Sequence, residues 1–356
     1  MDKYQSKLNF DFLTNQLILK EIGLIDSFKG KWNVVIQSDT PFLKKLRRDA
    51  FIESIGSSTR IEGARLTNTE IVELLNSKDP TKLETSDQQE VLGYSEALEM
   101  IQLVKGDIRL TKDAIQQLHH SFLIYNTGAE MHRGKYKTQP NRVVSTNSEG
   151  YRRIIFNTTE PTLVSKEMSE LLAWTNQQLK SNLLHPIIVI GLFIYEFLVI
   201  HPFQDRNSSL SCLLTNHLLL HSNYKFIRFI SFEGLIEGHK NEYFKALKVG
   251  QINRYSYEER IDKWMLFFIH SLVTLTLELE QKYASVKLEK SYLNPRQKRI
   301  IDFIKNHQPV KLADLDQGMK EISINTFKKD LQYLKSKQFI ECTGKNRGAT
   351  YSIKIN

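Results

Sequence analysis

The sequence predicts a mainly α-helical protein with one small β-hairpin near its middle and a separate winged helix-turn-helix module at its C-terminus. Three observations predict it. Proline is scarce, with 8 residues in 356, and many windows repeat apolar side chains every three or four residues, the spacing of one helix face. The pattern breaks over residues 126–161, where Gly128, Gly134, Pro140 and Gly150 punctuate short β-like runs. After Pro295 it changes again, into three short helices followed by two strands.

The elements follow in order. Residues 49–62 carry a helix signal with Phe51, Ile52, Ile55 and Ile61 as apolar positions. Thr67 with Glu70 three residues on reads as a helix start, continued by Ile71, Val72, Leu74 and Leu75. Residues 88–104 form a further helix, and Thr111 opens the next, with Ile115, Leu118 and Phe122. The hairpin spans about residues 141–156. Helical spacing resumes over 161–179. Residues 185–200 are apolar around most of their circumference, which marks a helix buried at the centre of a bundle. Residues 208–221 and 255–287 complete the helical part.

Residues 296–307, 311–319 and 323–337 are the predicted C-terminal helices; residues 339–341 and 350–355 are the strands, joined by the turn-rich 344–348. On the third helix, Ile324, Phe327, Leu331 and Leu334 make a core face, while Asn325, Lys328, Lys329 and Gln332 lie opposite. Lys345 and Arg347 sit in the wing. Lysine and arginine contact phosphates, and Asn or Gln can read adenine edges. DNA binding is one reading of this face; the other is a protein-interaction module, including a homodimer contact.

Charge and composition narrow the classes. The formal net charge is +9, and residues 291–356 hold 13 Lys and Arg against 6 Asp and Glu, so most of the excess lies there. An anionic partner would meet this end first. The longest apolar run, 187–200, is interrupted by Gly191, Tyr195 and Glu196 and falls short of the roughly 18 residues that span a bilayer. The N-terminus lacks the basic-then-apolar pattern of a secretory signal. Cys212 and Cys342 are far apart, which gives no disulfide framework and fits a reducing cytoplasm.

The chemistry concentrates in His201-Pro202-Phe203-Gln204-Asp205-Arg206-Asn207-Ser208-Ser209. Pro202 discourages helix at His201. The loop therefore joins two helices, and the free N–H groups opening the second favour an anion. His can act as general base near neutral pH. Asp can hold Mg²⁺, which takes few carboxylates plus substrate phosphates. This set points to phosphoryl or nucleotidyl transfer. A plainer reading makes His201 a helix end and Asp205 and Asn207 turn residues.

This run resembles the signature of the Fic (Fido) family, H-P-F-x-[D/E]-G-N-G-R-x-x-R. His201, Pro202, Phe203, Asp205 and Asn207 match; Arg206, Ser208, Ser209 and Cys212 depart from Gly, Gly, Arg and Arg. Upstream, Ser58, Glu62 and Gly63 resemble the family's [S/T]-x-x-x-E-[G/N] inhibitory motif, and residues 241–247 resemble its Y-Y-x-A-L segment. The likeness covers about residues 10–285. It implies an N-terminal helical region (1–105) carrying the inhibitory-type motif, a Fic core of helices with a hairpin flap (106–288), and a winged-helix domain (289–356).

The resemblance implies a protein adenylyltransferase using ATP and Mg²⁺, with Mn²⁺ as a substitute. His201 would deprotonate a Ser, Thr or Tyr hydroxyl of a target protein docked on the flap. Asp205 would hold the metal, Asn207 would reach the α-phosphate, and Arg206 to Ser209 would offer backbone N–H groups. Ser209 and Cys212 bring no charge where the family has Arg. Arg206 either obstructs close approach of phosphate or returns the lost charge; with positive φ it would also add strain. Glu62 cannot make the family's ion pair with Cys212. It would pair with Arg206 or another cation, survive as a relic, or be an ordinary helix carboxylate, and Glu62→Gly is expected to activate little. The alternatives are a silent Fic scaffold acting as a DNA-binding regulator, and de-AMPylation or transfer from another nucleotide.

Overall fold

Caps and prolines set most helix boundaries in the computed structural model, which describes residues 3–38, 40–77, 83–103, 110–146, 152–256, 258–291, 293–336, 339–344 and 348–353. The chain runs α1 (Lys3–Ser6), α2 (Phe12–Val35), α3 (Pro41–Glu62), α4 (Asn68–Ser77), α5 (Ser86–Leu103) and α6 (Lys112–Phe122). A hairpin follows, β1 (Arg142–Thr146) and β2 (Arg152–Asn157). Then come α7 (Pro161–Ser181), α8 (Pro186–Ile200), α9 (Asn207–His221), α10 (Phe232–Gly238), α11 (Lys240–Gly250) and α12 (Asp262–Ser291). The last elements are α13 (Pro295–His307), β3 (Val310–Lys311), α14 (Leu312–Gly318), α15 (Ile324–Ser336), β4 (Ile340–Thr343) and β5 (Thr350–Ile353).

Asp11, Thr40 and Thr111 each accept a backbone N–H from the third residue on, which caps α2, α3 and α6. Proline opens α3, α7, α8 and α13, where its missing N–H costs nothing. Thr67 and Glu70 form the reciprocal cap expected of α4. Gly63, at φ +112°, ends α3 in the left-handed conformation that favours glycine.

Two compact units result, Met1–Leu279 and Glu280–Asn356. In the first, α8 is the hub: every residue from Val189 to Ile200 is buried. A side chain at Gly191 would meet Met265 Sδ and Phe268 Cδ1 of α12 at 2.9 Å, and Trp264 Nε1 donates to the Gly191 carbonyl at 2.8 Å. Each buried Phe, Leu or Ile there contributes about 1.5–3 kcal/mol. The one charge on α8, Glu196, is met by Lys7 and by Arg254; Lys7 also bonds Glu259 at 2.9 Å. That buried knot ties the N-terminal segment to the central helix.

In the second unit, α13, α14 and α15 pack on an antiparallel sheet of order β3-β5-β4. Ile300, Ile304, Leu315, Phe327, Leu331, Leu334 and Ile340 form its core.

Several expectations are corrected. The sequence reading assigned no separate helix to residues 12–35, yet α2 is 24 residues long. Its buried stripe, Ile18, Ile22, Ile25, Phe28 and Trp32, is blurred by exposed Phe12, Leu13, Leu17 and Leu24. Helix α3 starts eight residues earlier than read. Helix α12 starts at Asp262, later than read, because the preceding segment is built of turns and Tyr255 is left-handed at φ 68°. Its N–H donates to Glu259 and its hydroxyl to Glu167. Ile324 is exposed rather than on the core face, being the first residue of α15. The two-residue β3 is too short for a periodic signal.

Candidate active site

Helix α8 ends at His201, whose φ of 52° and ψ of 61° break the helix just before Pro202. Its Nδ1 lies 3.1 Å from the Leu198 carbonyl oxygen. A carbonyl only accepts, so Nδ1 carries the proton and Nε2 is the basic nitrogen. Burial pushes the His201 pKa down to about 4, and the nearby Lys137 charge adds to this. The ring is therefore neutral at physiological pH.

The loop after His201 is held from inside by Asn207. The Phe203 N–H donates to Asn207 Oδ1 at 2.9 Å, and Asn207 Nδ2 donates to the carbonyls of Phe203 and Asp205 at 2.8 and 3.3 Å. Asn207 is buried, and these bonds commit its amide to the loop. Phe203, fully buried, stacks on His119 at a centroid distance of 3.9 Å. The aromatic thus forms the floor under the loop.

Arg206 caps α9 from a left-handed backbone at φ 58°, the strained alternative for a non-glycine residue. Its side chain does not cap the helix. Glu62 does so instead. Its Oε1 accepts from the Ser209 N–H at 3.1 Å and the Ser209 hydroxyl at 2.8 Å. Its Oε2 accepts from Arg206 Nη1 at 2.9 Å, and the same nitrogen contacts Glu90 at 2.7 Å. A carboxylate thus fills the place at the α9 N-terminus where the N–H groups would receive an anion. Of the three readings of Glu62, the pairing with Arg206 is the one observed, and Cys212 is a buried neutral residue. Burial pushes Glu90 up to about 8 against the pull of Arg206, with Glu62 and Asp87 adding to the rise.

Asp205 lies between two histidines, with Oδ1 3.2 Å from His132 Nε2 and 3.7 Å from His119 Nε2. His119 Nδ1 accepts the Gly134 N–H at 3.0 Å, which leaves its proton on Nε2, facing Asp205. Burial works against the Asp205 charge, but these two histidines outweigh it and its pKa is lowered. Among the described residues there is no group of three or more His, Cys, Asp or Glu placed to hold a metal.

Lys137 ties the hairpin to this loop. Its ammonium donates to Asn141 Oδ1 and Thr158 Oγ1, both at 2.7 Å, and to the Ile200 carbonyl at 3.2 Å. Asn141 and Thr158 flank β1 and β2. Asn141 Nδ2 also donates to the Phe203 carbonyl at 2.8 Å. The cavity between hairpin, loop and α11 measures about 710 Å³ and is bordered by Glu62, Gly63, Val143, His201, Asp205, Arg206, Asn207 and Ser208, with Arg65, Arg142 and Lys240 as further cations.

The structure therefore brings together His201, Asp205, Arg206, Asn207, Ser208, Ser209, Ser58, Glu62 and Gly63. The Ser58 carbonyl accepts from the Ser209 hydroxyl at 3.5 Å. Asn325, Lys328, Lys329 and Gln332 belong to the other unit and are exposed along α15. Lys345 and Arg347 lie outside the described residues. The sequence reading missed Glu90, His119, His132, Lys137 and Lys240. Only long-range packing links them to the loop.

Among the described residues no helix is long and apolar enough to cross a membrane. Residues 109–219 match the model of the Fic/DOC family. The protein adenylyltransferase Fic of Culex quinquefasciatus is 26% identical over 211 residues, 58% of this chain and 38% of that protein. Its counterpart in Nematostella vectensis is 25% identical over 212 residues, 59% of this chain and 46% of the relative. The chain thus spans less than half the length of these curated relatives. Among solved structures, a Fic family protein from Desulfovibrio desulfuricans superposes with a TM-score of 0.64 at 20% identity, covering 95% of this chain and 96% of that one. A Fic domain protein from Bacteroides thetaiotaomicron gives 0.56 at 22% identity, over 73% and 97%. Helical fold and family match agree: residues 109–219 of this chain carry a Fic/DOC family domain.

Proposed function

We propose that the domain transfers AMP from ATP to a Ser, Thr or Tyr hydroxyl of a target protein. The observation that carries this is the pairing of a neutral His201, its Nε2 left basic, with an anion-accepting helix N-terminus in one cavity. The relatives named as adenylyltransferases support the reaction class.

His201 Nε2 takes the proton of the hydroxyl. The hydroxyl oxygen then bonds to the α-phosphorus of ATP, the bond to the β-phosphate oxygen breaks, and pyrophosphate leaves. Nearby N–H groups of α9 and the Arg206 guanidinium oppose the charge that develops on the phosphate oxygens. Asp205 fits a Mg²⁺ ion: its carboxylate is ionised, borders the cavity and is hydrogen-bonded through Oδ1. Such an ion, when bound, would neutralise phosphate charge. Asn207 acts from within, by fixing the loop that presents Asp205 and Arg206. The hairpin would receive the target's backbone by strand addition.

Glu62 occupies the anion position in this resting arrangement and must leave for a phosphate to enter. The sequence reading expects weak activation; the bonds to Arg206 and Ser209 that replace the lost pair with position 212 support a larger effect. Incubating the chain, Glu62→Gly and Glu62→Gly/His201→Ala with α-labelled ATP and Mg²⁺ or Mn²⁺ tests the reading. Label on Glu62→Gly that depends on His201 supports it; no label on Glu62→Gly, or label independent of His201, refutes it.

A second reading concerns residues 280–356. The helix–strand–helix–helix–hairpin order and the exposed Asn325, Lys328, Lys329 and Gln332 support a winged-helix module that binds DNA. Fluorescence anisotropy with duplex DNA across a salt series tests it: a steep fall of affinity with salt supports the reading, and no binding at low salt refutes it.

A further inference from the structure

We infer that this chain grips the polyphosphate of its nucleotide with cations from outside the signature loop, Lys240 at the start of α11 and Arg142 at the foot of the hairpin, acting beside Arg206. The inference rests on the nucleotide reading above and names how that site holds its ligand.

The two places where the signature would supply guanidinium groups cannot do so. Ser209 offers a hydroxyl without charge, and Cys212 is a buried thiol. Yet the same cavity is bordered by Arg65, Arg142, Arg206 and Lys240 against the carboxylates Glu62 and Asp205. Among the described residues cations therefore outnumber carboxylates on the wall where a phosphate chain would lie. With Glu62 displaced, the imbalance grows, and an anion of several charges fits it better than a monoanion.

Lys240 and Arg142 have donors to spare. Lys240 Nζ makes one hydrogen bond among the described residues, to the Ile61 carbonyl at 2.9 Å. An ammonium has three N–H bonds, so two remain for a ligand. That bond places the ammonium at the end of α3, one residue from Glu62. Burial lowers the Lys240 pKa, while Glu237 and Glu62 hold it up, so Glu62 acts on Lys240 as well as on Arg206. Arg142 is exposed and its guanidinium makes no hydrogen bond or ion pair among the described residues. Glu62 is thus the counter-ion shared by Arg206 and Lys240 that a phosphate chain would replace, and Arg142 borders the same cavity from β1.

The test uses the full chain with Glu62→Gly, and that background with Lys240→Gln, Lys240→Arg or Arg142→Gln added. Calorimetry follows ATP, inorganic triphosphate and adenosine. Losing one charge-assisted contact should weaken ATP and triphosphate about tenfold or more in each Gln variant. Adenosine binding should not change, and Lys240→Arg should keep most of the affinity. Equal ATP and triphosphate binding with and without the Gln substitutions overturns the inference and leaves the nucleotide reading standing. Triphosphate binding that depends on Lys240, without ATP binding, keeps the clamp and removes the nucleotide reading. Loss of adenosine binding together with ATP, unrescued by Arg, means Lys240 only props α3 and overturns the inference. Binding of neither ATP nor triphosphate to Glu62→Gly overturns both.

Discussion

Glu62, at the end of α3, caps α9 through Ser209, accepting its backbone N–H at 3.1 Å and its hydroxyl at 2.8 Å. The two residues are 147 positions apart in sequence, and their contact occupies the α9 N-terminus, where free N–H groups favour an anion.

Removing Glu62 has two opposed effects. Glu62→Gly should raise ATP affinity at least tenfold, since a carboxylate no longer competes for the N–H groups and Arg206. The same change removes a helix cap and should lower stability by about 1 kcal/mol. Calorimetry with ATP and urea denaturation of the same preparation check both.

The state of Glu90 should show in the pH dependence of stability. Its folded pKa is raised to about 8 from 4.5, so between these values the folded chain binds a proton that the unfolded chain does not. The stabilisation is complete below the unfolded pKa and is lost as pH rises through the folded one. Glu90→Gln should flatten the decline of stability between pH 5 and 8. An unchanged slope in urea denaturation contradicts this.

His201→Ala should lower the rate of transfer by roughly two to four orders of magnitude while leaving ATP binding intact. Because the His201 pKa is pushed down to about 4, the imidazole stays neutral above that value. The rate limb assigned to His201 should fall only as pH drops through about 4. A pH profile of the unmutated chain checks this.

Asn207→Ala should destabilise the chain by about 1–3 kcal/mol, because the buried Phe203 N–H is left without its acceptor. The loss should appear in urea denaturation without any nucleotide present.

On α15, Lys328→Gln and Lys329→Gln should each weaken DNA binding across sequences and reduce the salt slope by about one. Anisotropy titrations at several salt concentrations measure that slope.

The local signals in the sequence carried far. The apolar circumference of residues 185–200 marked the buried hub, Gly and Pro bounded the hairpin, and the signature-like run located the loop. Lone residues far from the loop were not legible. Glu90, Lys137 and Lys240 carry no distinguishing neighbours, and only folding brings them to Arg206, to the hairpin feet and to Ile61. Asn207 shows a subtler limit. The resemblance gave it a phosphate to bind, whereas its amide is turned into the loop, a choice set by the unpaired backbone groups of Phe203 and Asp205. Ile324 fits a helical core stripe by spacing alone, but a first-turn position leaves it in solvent.

The intact mass of the Glu62→Gly chain after incubation with ATP and Mg²⁺, beside Glu62→Gly/His201→Ala, tests the central claim most directly. A gain equal to one AMP in the first and none in the second is the predicted result. No gain in the first, or the same gain in both, contradicts it.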